Sequence, residues 1–446
     1  MTSLASLGDL DARVAAMCRQ AGAPALAFAV SWKGATVASA SGVLNVETAV
    51  QARPDSLFQV GSITKSLTAT LVMQACEEGL LDIDLPVSSY LGAGIGRGEA
   101  AERFTARQLL AHTSGLDGDL FLDTGRDDDA LARYLIECAQ LEFLAPPGRH
   151  YNYSNAGYAV LGRLLEVLRG KPYDEVLRDR LFAPLGASRS TTFAEDAAFA
   201  RTAVGHTRTA DEGGSGEKMS VVPFMPLPRA LGPAGFTLYS TVQELIAYAN
   251  AHLAGEALVR RETAAQMQSP HVPLPDDAAW GLGWKIIDRG GIRFIGHDGG
   301  TIGQVASLWL APQVGLAVAL CANGGRAQLA WEGLAHPVFL EVCGEVPRAR
   351  VPEPVCEAVD LAPFEGTFEN LGVAVRIVAQ HQRLEAVAQQ KYFSLPDTTF
   401  HMYPLGGDRF RARIGDDDRV VTAFLERGAD GRPALFYAGR LHRRRA

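Results

Sequence analysis

Ser62 and Lys65 stand three residues apart in Phe58-Gln-Val-Gly-Ser-Ile-Thr-Lys-Ser-Leu67. That spacing is close to one helical turn, so a hydroxyl and an amine share one helix face. Such a pair can do nucleophilic chemistry. A serine at a buried helix N-terminus lies beside unpaired backbone N–H groups and the positive end of the helix dipole, which stabilise an oxyanion. A desolvated lysine one turn on gives up its proton more readily than in water and can act as the base. The pattern alone is cheap: Ser215-Gly-Glu-Lys218 repeats it in a Gly-rich polar stretch, Asp211 to Gly216, that reads as solvated loop. Context separates the two copies. Ser62 has an apolar strand-like lead-in (Leu57 to Val60) and a Gly61 turn, then Leu67, Leu71, Val72 and Ala75 at three- and four-residue spacing. This predicts an amphipathic helix buried on one side, with Gly79 placed to close it.

Two other groups of residues could join this pair. Tyr153-Ser-Asn155 precedes a helical pattern (Val160, Leu161, Leu164, Leu165, Leu168) that ends before Gly170, which puts a phenol and an amide on a loop at a helix start. Tyr248-Ala-Asn250 copies the spacing within a predicted helix and reads as packing. His297-Asp-Gly299-Gly300 ends a predicted strand, where glycine lets another group approach the backbone closely. A lone strand-end histidine is more often structural. His112, in His112-Thr-Ser-Gly-Leu116, reads as a hydrogen-bonding residue of its own turn.

The elements that must position these residues follow from periodicity. Pro24 to Trp32 and Ala35 to Ser41 predict a hairpin, and a mixed helical region follows to about residue 280, including a helix that Thr241 and Glu244 cap as a box and Gly255 closes. From Gly281 the period changes. Trp284 to Asp288, Ile292 to His297, Val305 to Leu310 and Gly315 to Cys321 read as an antiparallel meander, with a helix near Leu329 to Val342. A sheet closed by both ends of this segment, with a helical lobe inserted, leaves a cleft between lobes, a preferred substrate site. Pro347, Pro352 and Pro354 mark a linker, and seven or eight short alternating runs between Phe364 and Leu441 predict a small antiparallel barrel.

Composition narrows the partners. A chain of 446 residues exceeds one core, so a large and a small domain are expected. The net charge of -8 gives no electrostatic reason to expect nucleic acid or an anionic membrane surface. The basic run Arg440 to Arg445 reads as a solvated tail. No apolar run approaches a membrane span, and the N-terminus lacks an export pattern, so a cytoplasmic location is expected. Six cysteines lie far apart and are expected as reduced thiols. No metal, nucleotide-loop or α/β-hydrolase motif occurs, so no metal or cofactor is expected.

Taken in order, Ser-x-x-Lys, Tyr-x-Asn and His-x-Gly on a late strand, with the His112 turn and Gly281-Leu-Gly-Trp284, resemble the signature of the serine β-lactamase and penicillin-binding-protein superfamily over residues 10 to 345. The resemblance implies an α/β (α+β) fold: an antiparallel sheet flanked by helices with an inserted all-helical lobe, plus a lipocalin-like antiparallel barrel. It divides the chain into a catalytic domain 1–345 (lobe about 62–280), a linker 346–358 and a barrel 359–446. It further implies Ser62 as nucleophile, Lys65 as its base, Tyr153 as proton shuttle and His297 at the third-motif position. Asn155, with Asp298 and Gly299, would bind substrate, and the Ser62 and Gly300 N–H groups would form the oxyanion hole.

One departure from the pattern is informative. Cell-wall DD-peptidases and many β-lactamases carry Lys-Thr-Gly where this chain has His297-Asp-Gly299. His-x-Gly resembles the D-stereospecific aminopeptidase, amidase and esterase branches, and the stand-alone penicillin-binding-protein-type thioesterases that release and cyclise nonribosomal peptides. Room for one barrel favours the thioesterase. The implied substrate is a small peptide or a peptidyl thioester or ester with a D-configured acyl residue, with a peptidyl carrier protein as partner. The alternatives are a D-aminopeptidase, amidase or esterase, and a catalytically silent binding protein. Arg440 is available to a substrate carboxylate.

Overall fold

Apolar runs from near both ends of the first 345 residues pair with each other. Ala25–Trp32 is hydrogen-bonded on one side to Ala35–Gly42 and on the other to Leu316–Ala322. The sheet continues through Gln304–Ala311, Ile292–Thr301 and Lys285–Arg289 to the short strands Ala279–Trp280 and Val272–Pro273, all antiparallel. The computed structural model describes residues 7–92, 94–210, 217–223, 227–255, 257–355, 359–392, 396–414 and 417–445.

Alternation along Ala25–Trp32 sets what packs where. Leu26, Phe28 and Val30 face the helices Leu10–Ala21 and Ala327–Cys343, whereas Ala25, Ala27 and Ala29 face the main core shared with the helical lobe. Small residues on that face let the lobe approach closely. The predicted meander is present, with the His297 strand longer than expected: it runs on to Thr301. Its partner Lys285–Arg289 pairs with it only as far as Gly296, while Gln304–Ala311 follows it to Thr301. One edge at His297–Gly300 therefore lies open beside the Ser62 turn.

The Ser62 helix, Thr64–Glu77, differs from expectation. It is buried on every side from Thr64 to Ala75, not on one face. Its buried threonines are paired internally, as most buried polar groups are. Thr68 Oγ1 lies 2.8 Å from both the Tyr173 hydroxyl and the Pro233 carbonyl oxygen, and Thr70 Oγ1 is 2.9 Å from the Tyr248 hydroxyl. Tyr248 is thus a packing residue. The expected box at Thr241 is half formed: its hydroxyl accepts from Glu244 N–H, but the Glu244 carboxylate accepts from Arg189 N–H and the Ser190 hydroxyl. The full box closes the helix before His112, between Thr105 and Gln108.

Beyond the linker, eight strands from Gly366–Glu369 to Leu441–Arg444 close into a barrel, Phe368 pairing with Arg444 at the seam. Phe364, Phe368, Phe410, Phe424 and Phe436 fill its interior with ring centroids 4.8–5.8 Å apart, so the barrel is packed solid. The basic run is no solvated tail. Leu441–Arg444 is the closing strand, and Arg444 donates to the Pro433, Glu365 and Pro363 carbonyls.

The loop 211–216 and Cys356 lie outside the described residues; Lys218 stands on a strand, Glu217–Val221, paired with His206–Ala210. The other five cysteines are free thiols. No helix among the described residues is long and apolar enough to cross a membrane.

Candidate active site

Ser62 sits in a single 3-10 turn, Gly61–Ile63, that runs into the Thr64–Glu77 helix. Three glycines bring other backbone against it. A Cβ on Gly299 would lie 1.9 Å from the Val60 carbonyl oxygen and 3.0 Å from Ser62 N, one on Gly235 2.2 Å from the Gly61 carbonyl oxygen, and one on Gly61 2.5 Å from Gly300 N. Gly61 and Gly235 also hold positive φ angles of 55° and 110°, which side-chain-bearing residues rarely adopt. The Gly300 amide is thereby pressed to the Ser62 turn. Gly235 was not legible as a site residue in the sequence.

Lys65 is fully buried, and its Nζ meets three oxygens. Ser62 Oγ is 3.1 Å away, Asn155 Oδ1 2.8 Å and the Ala234 carbonyl oxygen 2.5 Å. Two of these only accept, whereas the hydroxyl can also donate. An ammonium satisfies all three by donating to each; a neutral amine, with two N–H bonds and one lone pair, also satisfies them, donating to Asn155 and Ala234 and accepting from Ser62. Burial, and then the charge of Arg440, hold Lys65 well below the usual lysine range, with Asp119 opposing. Hydroxyl and base are therefore in contact before any ligand arrives.

The Tyr153 ring lies 4.7 Å from Lys65 Nζ, and the Ser62 hydroxyl is near enough to its phenol to bear on its pKa. Burial raises its pKa above the ordinary phenol value, against the Ser62 hydroxyl and Arg440, so it stays a proton donor. His112 grips this loop from both sides. Its carbonyl accepts from Asn152 N–H at 2.7 Å, its Nδ1 accepts from Ser154 N–H at 3.1 Å, and its ring packs against Tyr153 with centroids 4.3 Å apart and a tilt of 30°. The bonding expected within its own turn thus reaches across the lobe to the Tyr153 loop.

Asn155 accepts from Lys65 through Oδ1 and donates through Nδ2 to Asp119 Oδ1 at 3.2 Å, which leaves one N–H for a ligand. His297 is buried on the open strand edge. Its Nδ1 lies 2.6 Å from the Asp298 carbonyl, so that nitrogen carries the hydrogen, and Nε2 is a bare acceptor with no partner among the described residues. Burial, helped by Lys65 and Lys285, pushes its pKa down to about 3. Asp298 points to the other face of the strand, where Oδ1 accepts from Trp309 Nε1 at 3.1 Å.

The barrel completes this wall. Arg440 forms an ion pair with Asp119 and places its Cζ 5.1 Å from the Tyr153 ring centroid. It does not wait for a substrate carboxylate in a free tail. Leu441 N–H donates to Asn152 Oδ1 at 2.9 Å, and Leu371 N–H to Asp117 Oδ2 at 2.8 Å. A cavity of about 530 Å³ opens between lobe, sheet and barrel, lined among others by Tyr151, Tyr153, Trp280, His297, Tyr437 and Arg440. The structure thus gathers Ser62, Lys65, Tyr153, Asn155, His297, Gly299 and Gly300, and adds Ala234, Asp119 and Arg440.

Among known proteins, the family model described as Beta-lactamase matches residues 10–333. The chain belongs to the β-lactamase family. Penicillin-binding protein 4 of Amycolatopsis lactamdurans is 39% identical over 371 residues, 79% of this chain and 94% of that protein. The D-aminopeptidase of Brucella anthropi is 26% identical over 294 residues, and the match spans about half of it, 52%. Among solved structures, SurE with D-Leu superposes with a TM-score of 0.79 at 26% identity, over 99% of this chain and 100% of that one. D-amino acid amidase from Ochrobactrum anthropi shares the fold at a TM-score of 0.60 and 23% identity, over 75% of this chain.

Proposed function

We propose that the protein is a serine acyltransferase working through an acyl-enzyme on Ser62, and specifically a stand-alone penicillin-binding-protein-type thioesterase that releases and cyclises nonribosomal peptides. The observation that carries the chemistry is Lys65 Nζ, buried and held 3.1 Å from Ser62 Oγ.

Lys65 removes the Ser62 proton as Oγ attacks the thioester carbonyl. The resulting oxyanion faces the N–H groups of Ser62 and Gly300, each worth about 3 kcal/mol in such a transition state. Lys65 hands that proton on through Tyr153 to the departing thiolate, so the thiol leaves with its hydrogen while Lys65 is neutral and Tyr153 protonated again. The peptide's own amine then attacks the Ser62 ester, giving the cyclic amide and returning the proton to the serine. His297 Nε2 offers an acceptor to a ligand N–H at the open strand edge, beside Gly299 and Asp298, and the remaining Asn155 N–H faces the acyl group.

Three things support the finer reading. Similarity to SurE, crystallised with a D-amino acid, runs the whole chain, barrel included; the D-amino acid amidase leaves a quarter of it unmatched. The barrel supplies Arg440 to the site. The third motif presents a neutral acceptor, which suits an N–H donor and not a substrate carboxylate. The second reading, a D-aminopeptidase or amidase, is favoured by the Brucella anthropi relative. Incubation with a peptidyl thioester ending in a D-residue, carried on a small thiol or a carrier protein, should give cyclic product. Turnover of a D-alanyl amide alone would replace the cyclase by the amidase.

A further inference from the structure

We propose that Asp119 is a positioning residue of the proton relay, one carboxylate oxygen holding Asn155 against Lys65 and the other holding Arg440 over Tyr153. This rests on the Ser62–Lys65 reading above and extends it to a residue that no motif marks.

The geometry is that of a hinge pin between three segments. Oδ1 accepts from Asn155 Nδ2 at 3.2 Å, and Asn155 Oδ1 in turn accepts from Lys65 at 2.8 Å. An amide has one oxygen and one nitrogen, so anchoring the nitrogen at a carboxylate fixes the oxygen toward the amine. Oδ2 pairs with Arg440, whose guanidinium lies over the Tyr153 ring. Asp119 itself is 5% exposed, and Gly372 of the barrel lies beside it, where a Cβ would be in ordinary contact, 3.4 Å from the Asp119 Cβ. Two residues earlier, Asp117 accepts from Leu371 N–H. The barrel thus packs beside the carboxylate and supplies Arg440 to it.

The charge pattern gives the pair a second consequence. Lys65 is faced by Ser62, Tyr153, Tyr158, His112 and His297, and by Asp119 and Arg440. Burial keeps both histidines neutral, so the charges bearing on the amine are Asp119 and Arg440, of opposite sign. With both present their effects offset; with one removed the other acts alone. A merely structural role would move the two variants the same way.

The test follows phosphonylation of Ser62 by a fluorophosphonate, read by intact mass from pH 5 to 10, in the full-length protein. Asp119→Asn should slow labelling about tenfold or more and move the acid limb of the rate profile to lower pH, because the lone Arg440 cation disfavours the ammonium. Arg440→Gln should move that limb to higher pH, and Asp119→Asn with Arg440→Gln should bring it back. Asp119→Glu keeps the charge but shifts the pin, so its rate should fall with the limb unmoved. If Asp119→Asn fails to fold, Arg440→Gln and Asp119→Glu still carry the comparison. Limbs that move together, or an Asp119→Asn rate within twofold of wild type, overturn the assignment. Absence of label at Ser62 in the wild type overturns the Ser62–Lys65 reading and this proposal with it; label with unmoved limbs overturns Asp119 alone.

Discussion

Replacing Gly299 by alanine should disable acylation with the fold intact, and replacing the adjacent Gly300 should not. A methyl on Gly299 would sit 1.9 Å from the Val60 carbonyl oxygen and 3.0 Å from Ser62 N. The obstruction is backbone, with no flexible side chain to swing away. Ordinary contact begins at 3.4 Å, so the His297 strand and the Ser62 turn must part by about 1.5 Å, and a misplacement of even about 1 Å can cost about 100-fold in rate. That corresponds to about 2.7 kcal/mol of transition-state stabilisation, comparable with losing one oxyanion donor. Stability should fall by only about 1–3 kcal/mol, the usual cost of overpacking. At Gly300 the nearest atom to an added methyl is the Gln304 carbonyl oxygen at 4.0 Å. The assay is the rate of Ser62 labelling by a β-lactam or fluorophosphonate, with thermal unfolding measured alongside. A Gly299→Ala protein labelled within threefold of wild type, or a Gly300→Ala protein as impaired as it, would refute the packing argument.

Other outcomes follow from the same structure. Lys65→Arg, which stays protonated where Lys65 can be neutral, should lower acylation by about 10²–10⁴-fold, the range expected for loss of a general base; stopped-flow or quench kinetics with a peptidyl thioester read it. Phe424, whose ring packs against Phe364, Phe368, Phe410 and Phe436, should cost about 3–5 kcal/mol when cut to alanine, seen as a lower unfolding midpoint in urea. His252 and His442 are held by burial at about 4, and His297 at about 3, below the ordinary 6.5. The unfolded chain therefore binds more protons than the folded one below pH 6.5. Stability should be full above that pH and fall by about 1.4 kcal/mol per buried histidine per unit as pH drops toward 4. A urea midpoint that does not change between pH 7 and 4.5 would contradict this.

How much of the site was legible depended on whether the signal was local. The Ser62–Lys65 pair is set by one helical turn, Tyr153 and Asn155 by a helix start, and the His297 strand by its period, so each could be read from a short window. The Ala234 carbonyl could not, because a backbone acceptor has no residue type. Asp119 and Arg440 are 321 positions apart and meet only because the barrel docks on the lobe. The basic run looked like a tail because its charges are dense, yet they bond to carbonyls and to Asp119. The all-round burial of the Ser62 helix is hidden in the sequence for a related reason: Thr68 and Thr70 are polar by type, but their hydroxyls are paired inside the core.

The central claim is that acyl transfer passes through an ester on Ser62 formed by Lys65 in its neutral state. Rapid quenching of the protein with a D-residue peptidyl thioester, followed by intact mass and peptide mapping, tests it most directly. The account predicts a mass gain of one acyl group on the Ser62 peptide, absent in Ser62→Ala and delayed in Lys65→Arg; turnover with the acyl group on another residue, or undiminished in Ser62→Ala, would contradict it.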